Sequence, residues 1–139
     1  MAPPTVTGMP ERVTPFLMFT GDAERAIELY TSLFDDARVL DLTRHGADGP
    51  GVEGTVFQAS FSIAGQVFRC TDSPPVHDFT FTPSFSVFVD TGSAEELERL
   101  FAGLSEGGAV LMPLEDYGFS RRFGWVNDRF GVSWQLNLP

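Results

Sequence analysis

Few side chains in this sequence can move a proton or grip a ligand, and they are scattered. The two histidines, His45 and His77, both fall in turn-rich stretches, and neither has the partner spacing of a metal site or a Cys–His pair. Cys70 is the only thiol and stands two positions before Asp72. On a strand the two share a face, and a carboxylate there raises a thiol pKa, which disfavours a nucleophilic thiolate. Cys70 therefore reads first as a small buried hydrophobe, and Asp72 as a cap on the turn that follows. Asp72 as a general base and His77 as a proton-transfer group are the candidates for catalysis. No Ser-His-Asp set, paired catalytic carboxylates or phosphate loop can be assembled.

Amides, hydroxyls and aromatic rings are better placed. From Val132 the chain alternates, with Val132, Trp134, Leu136 and Leu138 on one face and Ser133, Gln135 and Asn137 on the other. Gln58, Ser60 and Ser62 alternate in the same way with Phe57, Ala59, Phe61 and Ile63, and Ser84 and Ser86 with Phe85, Val87 and Val89. Three strands thus carry polar rows suited to lining a cup. Phe88, Trp125 and Gln135 offer an aromatic wall and an orienting amide, the usual makeup of a small-molecule pocket. Tyr117, beside Gly118, is placed to close over it as a lid, and Arg121-Arg122 to meet an anionic group. The expected ligand-binding set is Gln58, Ser60, Cys70, Ser84, Phe88, Tyr117, Trp125 and Gln135.

These rows need strands and helices to position them. Thr14 to Phe19 is a short apolar run, followed by a helix with Asp22 as its N-cap and a stripe of Ala23, Ala26, Ile27, Tyr30, Leu33 and Phe34. Strands are expected at 38–44, 57–63 and 66–72, the last two joined by a turn at Ala64-Gly65. After a linker over 74–82 the plan repeats. A strand at 84–89 leads to a helix opened by the capping box Ser93-x-x-Glu96, which Gly107-Gly108 ends. Strands at 109–114, 121–128 and 132–138 follow. The fold class is α+β: two tandem βαβββ modules, 13–73 and 83–139, making a curved mixed sheet with a concave cup and the helices outside, behind a loose tail over 1–12.

Composition bounds the partners. The chain has 139 residues and a net charge of −10, with nine basic residues against nineteen acidic ones. That is the wrong balance for a phosphate backbone, so no nucleic-acid partner is expected. No signal peptide or membrane anchor is read, and one cysteine suits a reducing cytoplasm. Open sheet edges and many aromatics call for a cover, so a homodimer is expected.

The stretches Thr14-Pro15-Phe16-Leu17-Met18-Phe19-Thr20-Gly21-Asp22-Ala23, His77-Asp78-Phe79-Thr80-Phe81-Thr82-Pro83 and Phe123-Gly124-Trp125-Val126-Asn127-Asp128-Arg129-Phe130-Gly131-Val132-Ser133-Trp134-Gln135 carry a resemblance. So do Glu53-Gly54-Thr55-Val56, Leu111-Met112-Pro113-Leu114 and Tyr117-Gly118-Phe119. With them the chain resembles the PhnB-like branch of the vicinal oxygen chelate superfamily, the group of glyoxalases, bleomycin-resistance proteins and ring-cleaving dioxygenases. Many members of the branch carry the family label "3-demethylubiquinone-9 3-methyltransferase". The resemblance implies a divalent metal held in the cup, at positions where this chain has Pro15, Cys70 or Asp72, Ser84 and Gln135. Gln135 is the weak metal candidate of that set, so no tight metal is expected and at most a loosely bound divalent ion. The label implies a methyl donor, but the chain lacks the Gly-rich strand-to-helix turn that commonly holds one. The expected function is binding of a small organic molecule. A lyase, isomerase or oxygenase-type enzyme and a drug-sequestering resistance protein are the alternatives.

Overall fold

The computed structural model describes Gly8 and residues 10–139. Most of the tail expected over 1–12, with any part it has in a partner contact, lies outside the described residues. The elements run β1 (Phe16–Phe19), α1 (Ala23–Leu33), β2 (Ala37–Arg44), β3 (Val56–Ile63), β4 (Gln66–Asp72), β5 (Ser86–Asp90), α2 (Ala94–Ser105), β6 (Ala109–Glu115), β7 (Arg122–Asn127) and β8 (Ser133–Leu138).

The strands form two four-stranded mixed sheets, ordered β1-β4-β3-β2 and β5-β8-β7-β6. Each has one parallel pair, β1 with β4 and β5 with β8, and is otherwise antiparallel. The fold is thus α+β with two modules of one topology. β1 and β5 each have a single strand neighbour, so the two sheets are separate hydrogen-bonded units.

Each helix covers one face of its own sheet because its stripe is apolar. Ala23, Ala26, Ile27 and Tyr30 of α1, and Leu97, Leu100 and Leu104 of α2, are buried. Burying each leucine contributes about 2 kcal/mol. The helix-bearing faces also meet each other. Tyr30 stacks obliquely on both Phe61 of the first sheet and Trp134 of the second, with ring centroids 5.9 and 5.0 Å apart. Gly103 lets the helices touch, since a Cβ there would lie 2.4 Å from Leu33 Cδ2. Arg99 Nη1 donates to the Leu33 carbonyl at 2.6 Å, closing the C-terminal end of α1. One core lies between the sheets, and their other faces look outward.

Local signals account for some ends and not others. Ser93 Oγ accepts from Glu96 N, as the capping box predicts. Asp22 occupies the N-cap position of α1 but makes no side-chain cap bond; it pairs with Arg25 instead. The turn at Ala64-Gly65 has positive φ at both residues, 50° and 84°, the geometry a two-residue hairpin needs. Phe57 departs from the predicted alternation. Thr43 pairs with Gln58 and Arg44 with Val56, so Phe57 is the extra residue of a β-bulge. Val56 then points into the core, and Phe57 is 49% exposed.

Candidate functional site

Strand register assigns each candidate to a face. In the first sheet Leu17, Cys70, Ala59 and Leu42 lie in one row across the four strands. That row faces α1, and Cys70 is fully buried within it. The next row, Phe16, Arg69, Ser60 and Asp41, faces outward with Gln58 and Thr71. Gln58 and Ser60 therefore share the polar face, as expected. Cys70 and Asp72 do not, because both continue the phase of Phe68, a core residue.

Asp72 is 3% exposed and wholly engaged. Its Oδ1 accepts from Gly21 N at 2.8 Å and Ala23 N at 3.0 Å, and its Oδ2 from Val56 N at 2.9 Å. It caps α1 from the far strand, in the role the sequence suggested for Asp22, so it is not a base at a rim. Its carbonyl accepts from His45 Nε2 at 2.9 Å, which fixes the proton on that nitrogen, and Nδ1 is buried without a partner among the described residues. Gly51 crosses that ring so closely that a Cβ would lie 2.4 Å from Nε2. Burial, then the charges of Asp72 and Asp41, pushes the Cys70 thiol up to about 12.

The second sheet holds the most organised polar face. Across it run the rows Ser86, Ser133, Asn127 and Phe88, Gln135, Trp125, Met112. Trp125 Nε1 donates to Ser133 Oγ at 2.8 Å, Ser133 and Ser86 share a 2.7 Å hydroxyl contact, and Gln135 Nε2 donates to Ser86 Oγ at 3.2 Å. This chain fixes the Gln135 amide by its nitrogen and leaves its carbonyl oxygen free to accept. Phe88 stands 52% exposed next to Gln135. Phe88, Trp125 and Gln135 thus share one face. Trp134, on the opposite side, is buried.

Of the other candidates only Tyr117 reaches this face, through Phe123, whose ring centroid lies 6.2 Å from that of Phe88. Ser84 sits in a turn two residues before β5, sharing a 2.7 Å hydroxyl contact with Thr82; the strand position opposite Ser133 belongs to Ser86. His77 is exposed in the same linker and stacks on Phe79 at 4.8 Å. Tyr117 folds back over the sheet against Phe123, at 6.1 Å and near right angles, and its hydroxyl donates to the Pro113 carbonyl. Arg122 pairs with Glu98 and Arg121 Nε donates to the Pro139 carbonyl, so both are engaged away from the polar faces.

Two residues passed over in the sequence matter here. Arg69 is the one charged side chain on β4's outward face, legible from its alternation with Phe68 and Cys70. Asp128, buried in the turn before β8, accepts from Tyr30 Oη, Trp134 Nε1, Phe130 N and Val132 N. The turn partners are local, but no sequence spacing announces Tyr30, 98 residues away. Two recesses border these elements. One, of about 1050 Å³, opens on the first sheet's polar face beside Phe16, Phe57 and Arg69. The other, of about 440 Å³, lies between the modules beside Phe34, Phe68, Val87 and Leu100. Only Phe88 and Asp90 join the second to a polar face.

The donor set does not suit a divalent metal. The outward positions of the outer parallel pairs are Phe16, Met18, Arg69, Thr71, Ser86, Phe88, Asp90, Ser133, Gln135 and Asn137. They supply hydroxyls, two amides and a single carboxylate, Asp90, which accepts from Asn137 Nδ2, with a guanidinium of the wrong sign among them. Among the described residues no three of His, Cys, Asp and Glu come together. A methyl donor fits no better: the Gly21 and Ala23 amides before α1 are filled by Asp72, and Ser93 caps α2.

The sequence matches the 3-demethylubiquinone-9 3-methyltransferase family over residues 11–137. It is 26% identical over 140 residues to Protein YjdN of Escherichia coli (strain K12), covering 91% of this chain and 94% of YjdN. Of solved structures, it is similar to the PhnB protein from Bacillus cereus, with 50% identity, a TM-score of 0.89 and coverage of 93% of this chain and 100% of that one. It is also similar to PA1353 from Pseudomonas aeruginosa, at 26% identity, a TM-score of 0.79 and coverage of 93% and 98%. Among the described residues no helix is long and apolar enough to cross a membrane.

Proposed function

The chain belongs to the 3-demethylubiquinone-9 3-methyltransferase family, the PhnB-like branch of the vicinal oxygen chelate superfamily, and from that membership we propose that it binds a small organic molecule on its polar sheet faces without a tightly held metal. The observation that carries this reading is the Trp125–Ser133–Ser86–Gln135 chain. It spends hydrogen bonds on holding one amide by its nitrogen, next to the exposed Phe88 ring, and among the described residues nothing bonds to the amide's oxygen. A fixed acceptor beside an aromatic surface suits an uncharged donor group on a flat or apolar body.

The cup is completed by a second copy of the chain in a homodimer. Within one chain the polar faces look away from the common core, so neither is roofed by the other. β1 and β5 each keep a free edge, and Phe16 and Phe88 stand exposed beside them. Pairing these edges between copies would bring the polar face of one module against that of the other.

A fluorescence-monitored thermal-shift screen of small organic molecules tests the binding. The expected outcome is a set of stabilising compounds whose shifts shrink in Gln135→Ala, with each compound recovered unchanged. Stoichiometric metal that disappears in Gln135→Ala, or a product formed from the bound compound, would overturn the reading. Sedimentation equilibrium of the wild type and of Phe88→Asp tests the assembly; a monomeric wild type sinks it.

A further inference from the structure

Arginine supplies all nine basic residues of this chain, and most are neutralised. Arg25, Arg44, Arg99, Arg122 and Arg129 pair with Asp22, Glu24, Asp35, Glu98 and Glu106. Arg69 pairs with no carboxylate among the described residues, in a protein with nineteen acidic side chains to choose from. Arg12, Arg38 and Arg121 also lack a side-chain carboxylate among the described residues, but Arg69 differs in its setting. It stands on the inner strand β4, and its neighbours across the sheet are Phe16 and Ser60.

The Gln58 amide, oriented to satisfy both of its ends, accepts from Arg69 Nε at 2.9 Å and from Nη2. That contact occupies the Nε/Nη2 edge of the guanidinium and leaves the Nη1/Nη2 edge, which can also meet a carboxylate or phosphonate by two parallel hydrogen bonds. Phe16 and Phe57, 59% and 49% exposed, flank the same recess. The bulge that turned Phe57 outward is held by Thr71 Oγ1, which donates to the Phe57 carbonyl at 2.6 Å. Glu11 and Arg12 stand at the rim, and Asp41 lies two strands away in the same row.

We infer that Arg69 is the anion-recognition residue of the cup, and that the ligand carries a carboxylate or phosphonate on a compact apolar body held between Phe16 and Phe57. Gln58 is a positioning residue that aims the guanidinium. The inference rests on the proposal that the polar faces bind a small organic molecule, and names that molecule's charge.

Matched probes separate the two. Benzoate and phenylphosphonate are titrated calorimetrically into the full chain beside the neutral benzamide. Both anions bind, benzamide binds more weakly, and the anion affinity falls as sodium chloride is raised. Arg69→Gln weakens the anions by about ten- to a hundredfold and leaves benzamide unchanged, while Arg69→Lys recovers part of the loss. Gln58→Ala causes a smaller loss of the same kind. Arg69 is exposed, so its variants should unfold at the wild-type midpoint, which circular dichroism checks. Equal binding of benzoate and benzamide, or an Arg69→Gln protein that binds anions like the wild type, overturns the anion assignment and leaves the cup standing. Failure of both anions to bind at millimolar concentration overturns it too. Benzamide binding abolished by Gln135→Ala supports the broader reading separately.

Discussion

Tyr30 Oη donates a 2.6 Å hydrogen bond to Asp128 Oδ2, joining the helix of the first module to the last turn of the second across 98 residues of chain. Trp134 Nε1 donates to the same oxygen at 2.9 Å. The carboxylate is buried and fully satisfied, so it holds the modules together only while every partner is present. Tyr30→Phe should cost about 1–3 kcal/mol and Asp128→Ala about 3–5 kcal/mol, because the second leaves several buried donors bare. Urea unfolding measures both; an Asp128→Ala protein as stable as the wild type would refute the tie.

Alkaline pH should weaken the fold through two buried acids. Burial, then the Asp128 charge, pushes the Tyr30 phenol well above its usual 10.0, and burial pushes the Cys70 thiol from 9.0 to about 12. Below the unfolded values both groups are protonated in either state and add no pH dependence. Above them the unfolded chain releases protons that the folded chain keeps, so stability falls by about 1.4 kcal/mol per pH unit for each group. Urea midpoints should drop first as the thiol range is crossed and then faster beyond the phenol range. Cys70→Ala removes the first part of the slope and Tyr30→Phe the second.

The same thiol should resist reagents. A protonated sulfur with no exposed surface offers neither a thiolate nor access. Ellman's reagent should leave the native protein unreacted at pH 8 and titrate one thiol on adding denaturant. Fast native labelling would contradict the placement of Cys70.

Asp72→Ala should destabilise by about 3–5 kcal/mol, since three backbone N–H groups lose their acceptor. Asp72→Asn should cost less, because one oxygen survives to accept from the helix end. Probe binding to either variant, measured below its unfolding midpoint, should match the wild type. Loss of binding without loss of stability would return Asp72 to the site.

Ala64 holds φ at 50°, a region where a Cβ is strained. Ala64→Gly should therefore stabilise the hairpin by about 0.5–1 kcal/mol, read as a higher unfolding midpoint. A lower midpoint would mean that the gain in unfolded-chain freedom outweighs the relief.

Periodicity made most of this fold legible, because each sheet has one buried face. Alternation from Val132 to Leu138 separated Trp134 from Gln135, and the three-to-four spacing of Leu97, Leu100 and Leu104 described α2. The same alternation, followed strictly from Phe68, would have turned Cys70 and Asp72 inward and Arg69 outward. The reading of Cys70 as a buried hydrophobe agrees with that phase, while weighing residue chemistry above it kept Cys70 among the ligand-binding candidates and passed over Arg69. The bulge at Phe57 broke the phase with no local marker. The partners of Asp72, and Tyr30 as partner of Asp128, lie 16 to 98 residues away, where only the folded arrangement brings them together.

The two helices consequently differ in what each needs before it can form. α2 carries its own start signal, since Ser93 caps it from within the same stretch of chain. α1 borrows its cap from residue 72, its exit contact from Arg99 and its phenol's acceptor from residue 128. On a growing chain the first helix is thus completed last. Its order arrives in instalments as each strand behind it is made, and the final one comes only when the second module closes.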